Sequence, residues 1–151
     1  MQDLYFAYGS NMSTARLRAR IASARPVGAA RLAGHALVCN KRGKDGSGKA
    51  NLVPRAACDA WGVVFELARA DWPALDRFEW GYARSACVVH ARDGTALEAH
   101  VYLALAPGPG PLAPFDWYRD HCLAGALEHA LPQEVVGEIR GWRVVAGDGP
   151  A

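Results

Sequence analysis

Two segments of this 151-residue chain carry residue types that can do chemistry, and the first is a short loop at residues 8–11. An apolar run at residues 4–7 predicts a buried strand before the loop, and a helix is predicted after it at residues 13–21. The backbone N–H groups of a glycine turn at a helix start attract anions, because the helix dipole and the unpaired donors act together. The same pattern equally fits an ordinary strand-to-helix turn. The loop alone therefore does not establish a binding site.

Glu79 is the second candidate, because its neighbours along the chain are unusually apolar for a carboxylate. Leu75, Phe78, Trp80 and Tyr82 surround it in the sequence, near the end of a predicted helix. Aromatic neighbours desolvate a carboxyl and raise its pKa, which suits a group that transfers protons near neutral pH. Taken by itself, a glutamate at this position is more typical of a helix end on the surface. Together with the loop, it indicates a proton-transfer site.

Other familiar chemistries lack a required residue. Residues 43–50 resemble a phosphate-binding loop, but Ala50 stands where a hydroxyl must ligate magnesium, and a strand is predicted to follow. A solvated basic loop between two strands is expected there instead. Ser10 lacks the second glycine of a hydrolase nucleophile elbow. The four cysteines are far apart, without the spacing of metal ligands. We therefore expect no metal and no cofactor.

The composition is that of a folded protein, predicted to be one domain over residues 1–151. Hydrophobic residues make up 51% of the chain, and 17 basic against 15 acidic residues leave a formal net charge of +2. A disordered chain is thereby excluded, and binding to nucleic acid through bulk charge is disfavoured. The longest uncharged stretch, residues 99–115, contains four prolines and cannot form a membrane helix. We expect a cytoplasmic protein with reduced thiols and no secretory leader.

The elements that must position both segments are predicted as mixed strands and helices. Besides residues 4–7, strands are predicted at residues 35–40, 51–54, 61–67, 85–91 and 95–105. A turn is predicted at residues 55–59 and a hairpin turn at Asp93-Gly94. Helices are predicted at residues 71–79 and 115–130, with a last short one through Val135 and Ile139. About six strands and four helices in this order predict an α+β fold.

Four stretches of the chain match one known family in the right order. The opening reads Tyr5-Phe-Ala-Tyr-Gly-Ser-Asn11, and residues 61–67 are followed by Leu75-Asp-Arg-Phe-Glu79. The opening resembles the substrate-binding loop of the γ-glutamylcyclotransferase family. The other two stretches resemble the strand and helix that carry the catalytic glutamate of this family. Residues 40–51 are similar to a stretch typical of its bacterial members. Residues 118–132 fit its C-terminal helical pattern.

The resemblance implies a fold, a reaction and a set of site residues. The fold would be a small mixed β-barrel, closed or nearly closed, with helices around it. The reaction would cyclise a γ-glutamyl amino acid or γ-glutamyl amine to 5-oxoproline and release the free amine. The substrate's own amine is the nucleophile, so no metal, cofactor or enzyme nucleophile is needed. The implied site residues are Glu79 as acid/base and, in substrate binding, Tyr8, Gly9, Ser10, Asn11 and Tyr118.

The sequence departs from the family pattern directly after the glutamate. Trp80 separates Glu79 from Gly81, where the family usually has glycine next, and the segment after it looks shortened. This departure motivates an alternative, a binding protein of the same fold whose catalysis is altered or lost. The basic residues 41–49 motivate a weaker one, a nucleic-acid partner. The leaving amine stays open, as does the choice between monomer and homodimer.

Overall fold

A computed structural model describes residues 1–149, two residues short of the predicted domain at 1–151. Within this range the chain forms five strands and four α-helices. The strands are β1 (Gln2–Ala7), β2 (Arg25–Arg42), β3 (Gly48–Ala68), β4 (Tyr82–Ala91) and β5 (Ala96–Ala104). The helices are α1 (Thr14–Arg20), α2 (Trp72–Phe78), α3 (Asp116–Glu128) and α4 (Gln133–Arg140). Short 3₁₀ turns, Ser10–Met12 and Arg69–Asp71, precede α1 and α2.

The five strands close into a barrel in the order β1, β3, β2, β4, β5. Neighbouring strands are antiparallel, except that β1 closes the barrel against β5 in parallel, with Tyr5 opposite His100. Closure leaves no sheet edge for other chains to pair with. The α+β class and the mixed, closed barrel with surrounding helices are thus confirmed.

The predicted turn at residues 55–59 is wrong, and this error explains the surplus strand. Residues 48–68 form one strand, β3, which pairs with β2. Ala33 lies opposite Asp59 and His35 opposite Pro54, so Gly34 alone faces residues 55–58, of which 55–57 are exposed and Cys58 is partly buried. Positive φ angles at Gly34 (74°) and Ala57 (64°) accommodate this wide bulge. A bulge bends a strand without ending it, and this stretch lacks the alternation of apolar and polar residues that would predict a strand.

The remaining predicted elements occur with the predicted type, but β2 begins at Arg25, ten residues before the strand predicted at residues 35–40. The hairpin between β4 and β5 turns at Gly94, whose φ is 88°. Ser13 caps α1, because its side chain accepts a hydrogen bond from the N–H of Arg16 at 3.3 Å. Large apolar side chains fill the core, among them Phe6, Phe65 and Leu75. None of the helices within residues 1–149 is both long and apolar enough to cross a membrane.

Candidate active site

A cavity of about 440 Å³ opens where five segments distant in sequence meet. These segments are the end of β1 with the following loop, the tip of the β2–β3 hairpin, the end of α2, the start of β4 and the start of α3. All six residues that the sequence assigns to the site line this cavity: Tyr8, Gly9, Ser10, Asn11, Glu79 and Tyr118. The structure therefore brings the predicted site residues together in one place.

Glu79 follows the last turn of α2, which it closes by donating its N–H to the carbonyl of Leu75 at 3.0 Å. Its carboxyl faces the cavity and accepts a hydrogen bond from Nδ2 of Asn11 at 2.7 Å. Burial raises the pKa of this carboxyl above the ordinary value, although the charges of Arg20, Lys41 and Arg16 oppose the rise. A carboxyl of this kind is a stronger base than an exposed glutamate, as proton transfer near neutral pH requires.

The loop from Gly9 to Asn11 presents backbone to the cavity because a glycine stands at its start. A Cβ atom at Gly9 would lie 3.1 Å from the hydroxyl of Tyr118 and 3.2 Å from Cβ of Ala50, so a side chain there would crowd the cavity wall. Ser10 and Asn11 lie in the 3₁₀ turn, and the first N–H groups of a helical turn have no partner within it. These N–H groups are suited to an anion.

Tyrosine hydroxyls connect the walls of the cavity to the backbone of other segments. The hydroxyl of Tyr8 donates to the carbonyl of Tyr102 at 2.5 Å, and that of Tyr82 donates to the carbonyl of Ala50 at 2.7 Å. The hydroxyl of Tyr118 accepts from the N–H of Ala50 at 3.0 Å. Burial raises the pKa of Tyr8, Tyr82 and Tyr118 well above that of a free phenol, so these side chains are neutral at physiological pH.

Six cations also line the cavity, and the sequence assigned none of them to the site. They are Arg16, Arg20, Lys41, Lys44, Lys49 and Arg77. The expectation of a solvated loop over residues 43–50 is wrong for Ser47 and Ala50, which are 5% and 1% exposed, and Lys41 just before it is also only 5% exposed. The sequence carries no signal for Lys41, because lysine is usually exposed and the register of β2 against β3 shifts between Cys39 and Lys41.

Trp80, the departure from the family pattern, lies at the cavity rim. Its side chain is half exposed, while its carbonyl turns inward and accepts from Nζ of Lys41 at 2.6 Å. Gly81 follows with a φ of 81°, a left-handed conformation that favours glycine. The extra residue therefore changes the rim and leaves Glu79 facing the cavity. Within residues 1–149, no three His, Cys, Asp or Glu side chains form a group that could hold a metal ion.

Known proteins share both the sequence and the fold of this chain. The family described as gamma-glutamyl cyclotransferase, AIG2-like, matches residues 5–119. The gamma-glutamylcyclotransferase of Mus musculus is 32% identical over 146 residues, which cover 91% of this chain and 77% of the mouse protein. The Homo sapiens protein of the same name is 30% identical with the same coverage. A solved structure named gamma-glutamyl cyclotransferase has a TM-score of 0.89 at 24% identity and covers 99% of this chain and 93% of its own, which shows the common fold.

The match in sequence covers the β1 loop, the β2–β3 hairpin, Glu79 and the start of α3, which are the segments that build the cavity. The chain therefore belongs to the gamma-glutamyl cyclotransferase, AIG2-like family and is a cyclotransferase enzyme.

Proposed function

We propose that this enzyme cyclises a γ-glutamyl amino acid or γ-glutamyl amine to 5-oxoproline and releases the free amine. The relatives at 30% identity or more carry the name of this activity. A cavity of about 440 Å³ is in the size range of small-molecule sites, about 300–1,000 Å³. The observation that carries the proposal is the hydrogen bond between Asn11 and the desolvated carboxyl of Glu79 at 2.7 Å.

In this reaction Glu79 carries protons from the substrate amine to the leaving nitrogen. The α-amino group of the substrate is an ammonium at neutral pH, and Glu79 removes a proton from it. The freed lone pair attacks the γ-carbonyl carbon, a C–N bond forms, the carbonyl oxygen gains the negative charge, and the ring nitrogen still carries two protons. Glu79 gives its proton to the leaving nitrogen as the original amide C–N bond breaks, then takes the surplus proton from the ring nitrogen and passes it to the released amine. Two protons thus move to the leaving group, which departs as an ammonium, and Glu79 ends the cycle as a carboxylate.

The loop supplies the complementary binding. Gly9, Ser10 and Asn11 line the cavity, and their N–H groups would receive either the α-carboxylate of the substrate or the developing oxyanion. The ring of Tyr118 forms the wall against which the glutamyl chain folds. Holding that chain bent brings the amine to its own carbonyl, and this proximity is worth several kcal/mol of the barrier, with about 7–11 kcal/mol reachable in well-oriented systems.

The test replaces Glu79 by glutamine, which keeps the shape and removes the proton transfer. We expect release of 5-oxoproline from γ-glutamyl-alanine to fall about 10²–10⁴-fold in Glu79→Gln. Glu138 is exposed on α4, so Glu138→Gln is the matched control and should keep wild-type activity. Wild-type rates in Glu79→Gln would refute the mechanism. Tight binding of γ-glutamyl compounds by the wild-type protein without any product would favour the alternative, a binding protein of this fold.

We propose further that the protein acts on its small substrate in the cytoplasm, as one domain over residues 1–151 and without nucleic acid. The cysteines support a reducing compartment, because all four are free thiols. Lys41 is buried beside Trp80, and Lys49 is paired with Asp45 at 3.2 Å, so neither is free on the surface for a phosphate backbone.

A further inference from the structure

Lys41 is a buried ammonium without a carboxylate partner. It is 5% exposed, and no acidic oxygen of residues 1–149 lies within 4.0 Å of its Nζ. Its one hydrogen bond goes to the carbonyl of Trp80 at 2.6 Å, although an ammonium has three donors. Buried lysines are nearly always paired, because an unpaired charge in a protein interior is costly. The charge of Glu79 acts on Lys41 only from beyond ion-pair distance, so the ammonium keeps donors available for an anion in the cavity.

The surroundings of Lys41 are shaped to hold the ammonium in place. Its Nζ lies 4.5 Å from the ring centre of Trp80 and 4.8 Å from that of Tyr82. A Cβ atom at Gly81 would lie 2.7 Å from Cε and 2.8 Å from Nζ of Lys41, so a side chain there would displace the ammonium from its present position. Two segments far apart in sequence, the end of β2 and residues 80–82, thus surround the Lys41 ammonium next to Glu79. Trp80, the residue by which the chain departs from the family pattern, is part of these surroundings.

The cavity as a whole favours anions. Its lining contains six cationic side chains, Arg16, Arg20, Lys41, Lys44, Lys49 and Arg77, against two carboxylates, Asp45 and Glu79. Asp45 already pairs with Lys49 at 3.2 Å. A leaving group that carries a positive charge would be repelled here, and one that carries a carboxylate would be attracted. The charge distribution therefore distinguishes a γ-glutamyl α-amino acid from a γ-glutamyl amine.

The position of Lys41 relative to Glu79 indicates which carboxylate it meets. Arg16 donates its Nε to Oγ of Ser10 at 3.1 Å and so lies with the loop that serves the glutamyl half. Lys41 instead bonds the residue that follows Glu79, and Glu79 is the group that protonates the leaving nitrogen. In an α-amino acid that nitrogen and the carboxylate are bonded to the same α-carbon, so the carboxylate of the leaving group lies close to the atom that Glu79 protonates. We propose that Lys41 binds the carboxylate of the leaving group and thereby selects γ-glutamyl α-amino acids over γ-glutamyl amines, an inference that rests on the proposed cyclisation.

The experiment compares γ-glutamyl-alanine with γ-glutamyl-ethylamide, which differ only by the carboxylate of the leaving group. We expect the wild-type kcat/KM to be about 10- to 100-fold higher for γ-glutamyl-alanine, the range for a hydrogen bond to a charged group. Lys41→Met should abolish this preference by slowing γ-glutamyl-alanine about 10- to 100-fold more than γ-glutamyl-ethylamide, since the lost charge near Glu79 acts on both substrates alike and cancels in the ratio. Arg42 is the exposed neighbour on β2 and lies outside the cavity, so Arg42→Met should keep the preference.

Two results overturn the inference. One is a wild-type enzyme that does not prefer γ-glutamyl-alanine, and the other is an equal loss on both substrates in Lys41→Met, since a purely structural role or contact with the glutamyl half affects both. Thermal melting monitors folding, and Lys41→Gln provides a second variant if the methionine protein does not fold. If the wild-type protein turns over neither substrate, the proposed cyclisation fails. The ratio of the two Kd values, measured by calorimetry in the wild-type protein and Lys41→Met, then decides the role of Lys41 independently.

Discussion

Replacing Gly125 by alanine tests whether α3 holds the substrate loop against Glu79. Gly125 is buried in α3, and a Cβ atom there would lie 2.4 Å from the carbonyl carbon of Met12 and 2.5 Å from the nitrogen of Ser13. Non-bonded heavy atoms prefer about 3.5–4.0 Å, so helix and loop must separate by about 1 Å. The displaced residues directly follow Asn11, which donates to Glu79 at 2.7 Å.

The size of the effect follows from that displacement. Overpacking a buried contact lowers the free energy of unfolding by about 1–3 kcal/mol. For a chain of this size each kcal/mol lowers the Tm by about 2–4 °C, so Gly125→Ala should melt about 2–12 °C below the wild type. A shift of about 1 Å in a positioning group costs about 10²-fold in rate. We therefore expect kcat/KM for γ-glutamyl-alanine to fall about 100-fold in protein that is still folded.

Gly137 offers the matched control. It is exposed in α4, and a Cβ atom there meets nothing within 4 Å. Alanine is favoured over glycine inside a helix by about 0.5–1 kcal/mol, so Gly137→Ala should raise the Tm slightly and keep full activity. Circular dichroism gives both Tm values, and 5-oxoproline release gives both rates. If Gly125→Ala keeps the wild-type Tm and rate, or if Gly137→Ala loses as much as Gly125→Ala, then α3 does not position the loop.

Three further predictions concern the pH and the cavity walls. Because burial raises the pKa of Glu79, kcat/KM should decline with falling pH at a higher pH than an ordinary glutamate would give, and a profile flat through the acid range would contradict this. The raised pKa also means that ionisation of Glu79 destabilises the fold, so stability is lost as the pH rises through the folded-state pKa. The Tm of Glu79→Gln should then exceed that of the wild type by a margin that grows with pH, and a constant margin would count against it. Tyr118→Phe leaves the buried N–H of Ala50 without its acceptor and should lower the free energy of unfolding in urea by about 1–3 kcal/mol, whereas an unchanged value would show that this bond is dispensable.

The raised pKa of Glu79 was predictable from the sequence, but for a partly wrong reason. Phe78 and Trp80 suggested the apolar surroundings, yet each of these side chains is 51% exposed. The hydrogen bond to the carboxyl comes from the loop after β1, where Nδ2 of Asn11 donates to Glu79 and also to the hydroxyl of Tyr5 on β1. Neighbours in sequence indicate polarity on average, whereas burial depends on which remote segments close over the site. The contact between these remote segments depends on the barrel topology, so the residues next to Glu79 in the sequence do not predict it.

Lys41 shows why the rest of the site could not be read from the chain. Lysine is usually exposed, so a basic glycine-rich stretch favours a solvated loop. In the structure the register between β2 and β3 shifts between Cys39 and Lys41, and a bulge at such a point re-aims the following side chains. Cys39 pairs with Ala50 and Lys41 with Lys49 across the shift. Register shifts depend on tertiary packing, which the sequence does not show. The residue type therefore predicted a solvent-exposed Lys41, whereas the structure buries it.

Proton transfer in the cavity depends on one carboxyl, because two of the tyrosine hydroxyls and the other carboxylate are held in hydrogen bonds or an ion pair. The hydroxyls of Tyr8 and Tyr82 donate hydrogen bonds to backbone carbonyls, and burial keeps the pKa of each well above the physiological range. These two side chains link separate segments of the chain and do not accept protons from an ammonium. The carboxyl of Asp45 pairs with Lys49, and hydrogen bonds from Ser47 help to lower its pKa, which makes it a weak base. Glu79 alone combines a raised pKa with a position at the end of α2 that faces the cavity. A reaction whose nucleophile belongs to the substrate requires one such base, and this cavity contains one.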